Sequence, residues 1–278
     1  MELSTLRYAL EGRVARIILD RPDRLNAISA AMPGDIRRAV QAAEDDDAVH
    51  VIVVSGAGRA FCSGYDLKDF AEQGLGAQEM PWDPMVDYKL MRRFTDDIMS
   101  LWRCHKPTVA QVHGFAVAGG SDIALCCDLV VMAEDARIGY PPARVWGCPT
   151  TAMWIYRVGA ERAKRMLFTG DLIDGREAAA MGLVLEAVPE STLADRVTAL
   201  AERMAGVPKN QLMMQKLRIN QALDAMGLAN TQMVATLFDG ITRHSPEGVW
   251  FREYAEAHGF HEAVKWRDGG RPIPEPTD

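Results

Sequence analysis

The chain has 278 residues, of which 48% are hydrophobic and 25% are charged, a balance typical of a soluble globular protein. Lys and Arg total 31 against 38 Asp and Glu, so the formal net charge is −7. An excess of acidic side chains argues against a nucleic-acid binder, and we expect no nucleic-acid partner.

The first part of the sequence predicts a hairpin, a helix and a buried strand. Alternating residues before Gly12 and the apolar run Val14–Leu19 predict two strands joined by a turn. Ser29 is a suitable N-cap for a following helix. The β-branched run Val51–Val54 predicts a strand in a sheet that is covered on both faces.

The middle of the chain continues this alternation. One apolar stripe predicts an amphipathic helix over Asp83–Leu101, and Thr108–Val112 and Leu129–Ala133 read as strands. Between those strands, Gly114–Gly120 reads as a loop of small residues and Ser121–Cys127 as a helix. From about Glu161 onward helical patterns dominate, including one that begins at the N-cap Ser245.

Two glycine-rich loops lie where a helix is about to begin, at residues 58–67 and 114–122. A helix N-terminus presents N–H groups that have no partner within the helix, and its dipole favours negative charge. Two such turns side by side could direct two N–H groups at one developing oxyanion. The alternative is that both loops are tight connections without a ligand.

Two known glycine motifs do not fit these loops. The third glycine of a dinucleotide-binding GxGxxG that starts at Gly56 would fall on Phe61. A GxSxG nucleophile elbow also fails, because the flanking positions of Ser63 are Phe61 and Tyr65, and Ser121 has Gly119 on one side but Ile123 on the other.

Several motifs in the right order resemble the crotonase (enoyl-CoA hydratase/isomerase) superfamily. They are LDRPDRLNA at 19–27, GAGRAFCSGYDLK at 56–68, KPTVA at 106–110, GFAVAGGSD at 114–122, FTG at 168–170 and AMGLV at 180–184. The resemblance covers roughly residues 5–205 and implies an α/β fold, a crotonase-like ββα superhelix (spiral) followed by an all-helical C-terminal region.

The resemblance also implies an acyl-CoA substrate and an oxyanion hole for its thioester. By position the two N–H donors belong to Tyr65 and Gly119. The substrate groove is assigned to the turn and the loop formed by Arg24, Leu25, Ser63, Gly64, Asp66 and Leu67. The family implies a homotrimer or a dimer of trimers. We therefore divide the chain into a spiral core, 1–205, and a helical oligomerisation region, 206–278.

The acid–base residues depart from the family pattern. Hydratases of this kind use two glutamates around one water; the first position is Asp122, and the second falls on Pro142, which cannot transfer a proton. A later position for an acid falls in 148–151, which holds no carboxylate. Asp122 is either a partly buried acid or base or a first-turn residue that binds free N–H groups.

Other side chains are weaker candidates. Tyr65, Tyr140, Trp146 and His113 are candidates to line the acyl pocket. Tyr140 is either a proton donor or part of the aromatic packing, and His113 is either a pocket residue or a hydrogen-bonded core histidine. A second carboxylate could come from the C-terminal helices, whose candidates are Glu247, Glu253 and Glu256.

The sequence therefore predicts an enoyl-CoA hydratase/isomerase-like lyase that stabilises a thioester enolate. Because the second glutamate is missing, an isomerase, hydrolase or decarboxylase of CoA esters is an alternative, as is a non-catalytic acyl-CoA-binding or RNA-associating scaffold. We expect no cofactor, since coenzyme A is part of the substrate, and no metal.

The expected compartment is the cytoplasm. The five cysteines are an odd number, form no CxxC pair and read as reduced thiols. We also expect no secretory signal and no membrane association.

Overall fold

The computed structural model of the protein describes residues 2–67, 70, 78 and 81–274. Its centre is a six-stranded sheet with the spatial order β1 (Leu6–Glu11), β2 (Val14–Leu19), β3 (Val51–Gly56), β4 (Thr108–Val112), β6 (Leu129–Ala133) and β9 (Glu186–Val188). A second sheet has the order β5 (Phe115–Val117), β7 (Arg137–Gly139) and β8 (Leu172–Asp174).

Helices follow most strands and then take over the chain. They are α1 (Met32–Asp45), α2 (Pro84–Ile98), α3 (Ser100–Arg103), α4 (Gly119–Cys126), α5 (Met153–Thr169), α6 (Gly175–Ala180), α7 (Glu190–Ala205), α8 (Lys209–Ala225), α9 (Leu228–His244), α10 (Pro246–His258) and α11 (Phe260–Asp268). The strand and helix alternation ends at β9, which confirms the predicted α/β architecture with a helical C-terminal region.

The large sheet follows from the sequence pattern. β1 and β2 form the predicted antiparallel hairpin around Gly12, whose φ of 59° lies in the left-handed region. β2, β3, β4, β6 and β9 are parallel neighbours joined through helices. Val51–Val54 are fully buried, as expected for a strand covered on both faces.

Two local predictions are wrong. α1 begins at Met32 and not at Ser29, whose hydroxyl is buried with no hydrogen-bond partner in the described part of the chain. The preceding Ile28 donates its N–H to the Gly64 carbonyl (2.8 Å) in a bridge with the first glycine loop, which keeps this segment extended. The predicted loop Gly114–Gly120 contains β5, and α4 already begins at Gly119.

The C-terminal helices pack on the rest of the chain. α9 contacts α2, and α11 contacts the 3-10 helix Pro141–Arg144. The predicted N-cap at Ser245 is confirmed, because its hydroxyl accepts from Gly248 N–H (3.3 Å). The division at residues 205 and 206 stays a prediction. None of the described helices combines the length and apolar character needed to cross a bilayer.

Candidate active site

A cavity of about 490 Å³ opens where the two glycine loops, the 3-10 helix at 141–144 and the C-terminal helices meet. Its walls are mostly apolar, and a few charged groups lie at the mouth and at the inner end. Its charged and aromatic lining residues include Arg24, Tyr65, Phe70, Asp122, Tyr140, Trp146 and Asp239. This combination of apolar walls and converging polar groups is typical of a ligand site.

The two glycine loops touch each other directly. Cys62 N–H donates to the Phe115 carbonyl (2.8 Å), and Val117 N–H donates to the Cys62 carbonyl (3.0 Å). A Cβ on Gly64 would lie 3.6 Å from the Gly119 nitrogen and a Cβ on Gly120 2.2 Å from the Cys62 oxygen. The loops can approach this closely only because glycine occupies these positions.

Two main-chain N–H groups at this junction have no hydrogen-bond partner among the described residues: those of Tyr65 and Gly119. The residues on either side of Tyr65 form its bridge to Ile28: Gly64 accepts from Ile28 N–H, and Asp66 N–H donates to the Ile28 carbonyl. The N–H of Tyr65 itself takes no part in this bridge. Gly119 is the first residue of α4 and follows Ala118, whose φ of 52° and ψ of −126° are strained for a residue with a Cβ. Each of the two touching loops therefore has a main-chain N–H that is free to bind an anion.

Asp122 lies one turn into α4 and lines the cavity, although only 3% of its surface is exposed. The Thr151 hydroxyl donates a hydrogen bond to its Oδ1. Burial raises the pKa of Asp122 to about 7; the nearby Asp239 carboxylate also raises it, and the Thr151 hydrogen bond opposes both. A carboxyl group with such a pKa can both give and take a proton near neutrality.

The pKa of Asp122 predicts a pH-dependent cost in stability. Because the folded-state pKa lies above the unfolded value, the carboxyl stabilises the fold at low pH and this contribution is lost as pH rises through about 7. We expect Asp122→Asn to increase the free energy of unfolding relative to wild type by about 4 kcal/mol at about pH 8. The difference should grow between about pH 4 and pH 7 in urea titrations; a constant difference would contradict this assignment.

Aromatic side chains form the apolar walls. The Tyr65 ring packs edge-on against Phe70 (centroids 5.0 Å apart), and Phe70 packs against Phe94 (6.0 Å). Tyr140 is 4% exposed, and burial raises its pKa far enough that the phenol stays neutral. Trp146 contacts Phe251 and Phe260 of the C-terminal helices, so these helices complete the wall.

α9 contributes two charged side chains to the inner end of the cavity, Asp239 and Arg243. Asp239 accepts from Cys148 N–H (3.1 Å) and pairs with Arg243 (3.1 Å). Arg243 also pairs with Asp87 of α2 (2.9 Å). The three glutamates of the C-terminal helices that were candidates from the sequence, Glu247, Glu253 and Glu256, do not line the cavity. The sequence feature that could have indicated Asp239 and Arg243 is an Asp and an Arg four residues apart in one predicted helix.

The structure brings most of the predicted site residues together. Those that line the cavity are Arg24, Ser63, Tyr65, Asp66, Leu67, Asp122, Tyr140, Pro142 and Trp146. Asp66 is also paired with Arg21 (2.9 Å). Arg24 and the half-exposed Leu67 lie at the mouth, and Pro142 stands in the wall without a proton to transfer.

Four candidates do not line the cavity: Leu25, Gly64, Gly119 and His113. Leu25 turns the chain with a φ of 50° and accepts from Ser63 N–H (3.1 Å). Gly64 packs against Ala118, while the Tyr65 ring and Ile28 cover Gly119. Of the two roles considered for His113, the pocket wall and a hydrogen-bonded structural histidine, the structure shows a hydrogen bond from its ring to the Gly58 carbonyl (2.9 Å).

Comparisons with known proteins identify the family of the chain. The family model for enoyl-CoA hydratase/isomerase matches residues 10–262. The chain is similar to the crystal structure of an enoyl-CoA hydratase from Mycobacterium smegmatis, with 50% identity, a TM-score of 0.91 and coverage of 96% of this chain and 94% of that one.

Two further relatives extend this result. An enoyl-CoA hydratase/isomerase from Xanthobacter autotrophicus Py2 is 32% identical with a TM-score of 0.89, covering 98% of this chain and all of that one (100%). The 2,3-dehydroadipyl-CoA hydratase of Escherichia coli K12 is 29% identical over 253 residues, which is 89% of this chain and 94% of that protein. The chain therefore belongs to the enoyl-CoA hydratase/isomerase family, with the crotonase-type fold that its sequence motifs predicted.

Proposed function

We propose that the protein adds water reversibly to the double bond of a 2-enoyl-CoA through a thioester enolate. One observation supports the proposal: the N–H groups of Tyr65 and Gly119 have no hydrogen-bond partner among the described residues and belong to two loops that touch, and Asp122 lies one helical turn after Gly119. An enolate needs both features, because its oxygen carries negative charge while a proton moves at carbon.

The two N–H groups would bind the thioester oxygen. A donor of this kind is worth roughly 2.7–4 kcal/mol of transition-state stabilisation in well-studied enzymes. Because the donors are main-chain groups held by the contact between the loops, they need no reorganisation when charge develops on the oxygen.

The remaining lining residues fit the two ends of an acyl-CoA. The aromatic wall of Tyr65, Phe70, Tyr140 and Trp146 suits an apolar acyl group. At the mouth, Arg24 is exposed and suits the phosphates of coenzyme A. The partly exposed Ser63 offers a polar contact to pantetheine, whereas Asp66 is buried and paired with Arg21. The names of the relatives support a CoA thioester as the substrate.

The first test is hydration itself. The purified protein is incubated with a short trans-2-enoyl-CoA, and loss of the conjugated enone absorbance is followed. We expect turnover that saturates with substrate. If the absorbance does not change although the protein still binds a saturated acyl-CoA, the protein is not a hydratase. It would then catalyse a different reaction of CoA esters or act as a binding scaffold.

Isomerisation is the second candidate, because Pro142 lines the cavity where the family has an acid. Moving a double bond needs only one group that takes a proton from one carbon and returns it to another. A trans-3-enoyl-CoA distinguishes the two reactions: gain of conjugated absorbance without later loss indicates an isomerase.

We propose that the chain assembles as a homotrimer or a dimer of trimers. Val234, Phe238 and Ile241 form an apolar stripe along α9 and are 43–54% exposed in the single chain. Exposed apolar stripes of this kind are typical of subunit interfaces. Light scattering coupled to size-exclusion chromatography should give three or six chain masses; a monomer at micromolar concentration would contradict the proposal.

We place the protein in the cytoplasm. Cys62, Cys104, Cys126 and Cys127 are buried free thiols, and Cys148 is a free thiol at intermediate exposure. Unpaired cysteines are usual in a reducing compartment. Fractionation of the source cells would test the location.

A further inference from the structure

We propose that Asp239, delivered by α9, is the second proton-transfer carboxyl of this cavity and takes the place of the acid that Pro142 cannot supply. The inference rests on the proposed acyl-CoA chemistry and names a further residue that performs it. In this proposal, α9 contributes a catalytic residue to the active site in addition to packing against the rest of the chain.

Placement is the first argument. Asp239 and Asp122 both line the cavity, although the two residues lie 117 positions apart in the chain. The Asp239 side chain is 8% exposed, so the charge is largely withdrawn from solvent but reaches the cavity. The ion pair with Arg243 compensates the cost of burying this carboxylate, and its place in the cavity wall makes it available to a bound substrate.

One short segment holds both carboxyl groups. Cys148 N–H donates to Asp239 (3.1 Å), and the Thr151 hydroxyl donates to Asp122. The Gln232 side chain of α9 in turn donates to the Thr151 carbonyl (3.0 Å), which ties α9 to this segment. The segment 148–151 carries no acid of its own and instead positions two acids that come from other elements.

The charges around Asp239 favour a pair that shares a proton. Four groups interact with the Asp239 carboxyl: Arg243 on α9, Asp87 on α2, Asp122 on α4 and Cys148 in the segment 148–151. The charge of Asp239 also raises the pKa values of the Tyr65 and Tyr140 phenols. Burial raises the pKa of Asp239, while the Arg243 guanidinium opposes this rise. Two carboxylates in one buried site do not both ionise easily, so one tends to be an acid while the other is a base.

The proton balance of hydration fits such a pair. The ionised carboxyl takes a proton from water as the water oxygen bonds to Cβ of the substrate. The electron pair of the double bond moves to the thioester oxygen, where the two main-chain N–H groups bind it. The protonated carboxyl then gives its proton to Cα, so the pair starts and ends with one proton and needs no further reactant.

Asp239 could instead serve only as a salt-bridge partner of Arg243, and Asp87 offers the matched control. Both carboxylates pair with the same guanidinium nitrogen, at 3.1 Å and 2.9 Å, and their side chains are 8% and 6% exposed. Asp87 does not line the cavity. A purely structural role predicts similar effects from removing either charge.

The experiment compares Asp239→Asn and Asp87→Asn in the full-length enzyme. We expect Asp239→Asn to lower kcat for 2-enoyl-CoA hydration at least about 100-fold, with the Kd of a saturated acyl-CoA within about threefold of wild type. Asp87→Asn should keep kcat within about fivefold. Equal losses in the two variants, or a loss of binding that accounts for the activity, overturn the inference.

A third variant keeps the test decisive if Asp239→Asn fails to fold. Removing the cation in Arg243→Gln raises the pKa of Asp239, because the guanidinium charge lowers that pKa in the native protein. The limb of the pH–rate profile that reports Asp239 should move to higher pH, whether the group acts as acid or base. An unshifted profile that is lower at every pH indicates a structural role. A wild-type enzyme that is inert with every CoA ester overturns the proposed function and this inference with it.

Discussion

Asp122→Asn is expected to lower kcat for the CoA-ester reaction by roughly 10²–10⁴-fold, the usual contribution of a positioned proton-transfer group. The amide cannot transfer a proton, but its oxygen still accepts the hydrogen bond that Thr151 donates to this position. Binding of a saturated acyl-CoA should therefore change little. Steady-state kinetics and calorimetric binding on the same preparation measure the two effects separately.

Thr151→Val is the companion variant, because it keeps the Asp122 carboxyl and removes its hydrogen bond. The hydroxyl lowers the pKa of Asp122, so its loss should move the corresponding limb of the pH–rate profile from about 7 to higher pH. In Asp122→Asn that limb should disappear. If the limb persists in Asp122→Asn, another group titrates there and Asp122 is not the acid or base.

The loops of the site could be predicted from sequence because their chemistry is local. Gly64, Gly119 and Gly120 stand in short motifs next to a strand or a helix start, and each glycine has a close neighbour that a side chain would displace. Asp122 follows from the same motif, since it lies three residues after Gly119. The strands Thr108–Val112 and Leu129–Ala133 were likewise predicted with their observed bounds.

The inner end of the cavity could not be predicted in this way. Its charged residues meet through tertiary packing: Arg243 pairs with Asp87, which is 156 residues away in the sequence. An Asp and an Arg four residues apart on a helix are usually an exposed pair. Only the packing of α9 against α2 shows that this pair is buried and faces a cavity.

The failed N-cap at Ser29 has a similar cause. A serine before an apolar helical pattern is a sound local signal. Here Ile28 hydrogen-bonds the first glycine loop on either side of Tyr65, through Gly64 and Asp66. These hydrogen bonds to the first glycine loop therefore outweigh the local capping preference of Ser29.

The contact between the loops makes Gly120→Ala the second large prediction. A Cβ there would lie 2.2 Å from the Cys62 carbonyl oxygen and 2.8 Å from the Cys62 carbonyl carbon. Neither atom can move freely, because the same carbonyl accepts from Val117 N–H and Cys62 N–H donates to Phe115. We expect a loss of about 3 kcal/mol in the free energy of unfolding.

The activity of the folded fraction is the more informative measurement. Relieving the clash must push the start of α4 away from the first loop, which separates the Tyr65 and Gly119 N–H groups that would share one oxygen. A displacement of about 1 Å can cost 10²-fold in rate, so kcat should fall at least that far even where circular dichroism shows a folded protein.

Gly34→Ala is the matched control for this variant. Gly34 lies in α1, and a Cβ there would meet only the flexible Arg38 Nη1 at 3.5 Å. The same chemical change should then stabilise the protein by about 0.5–1 kcal/mol and leave kcat unchanged. If Gly120→Ala keeps wild-type kcat, the two N–H groups do not act as a pair, and catalysis by this protein would have to rest on its carboxyl groups alone.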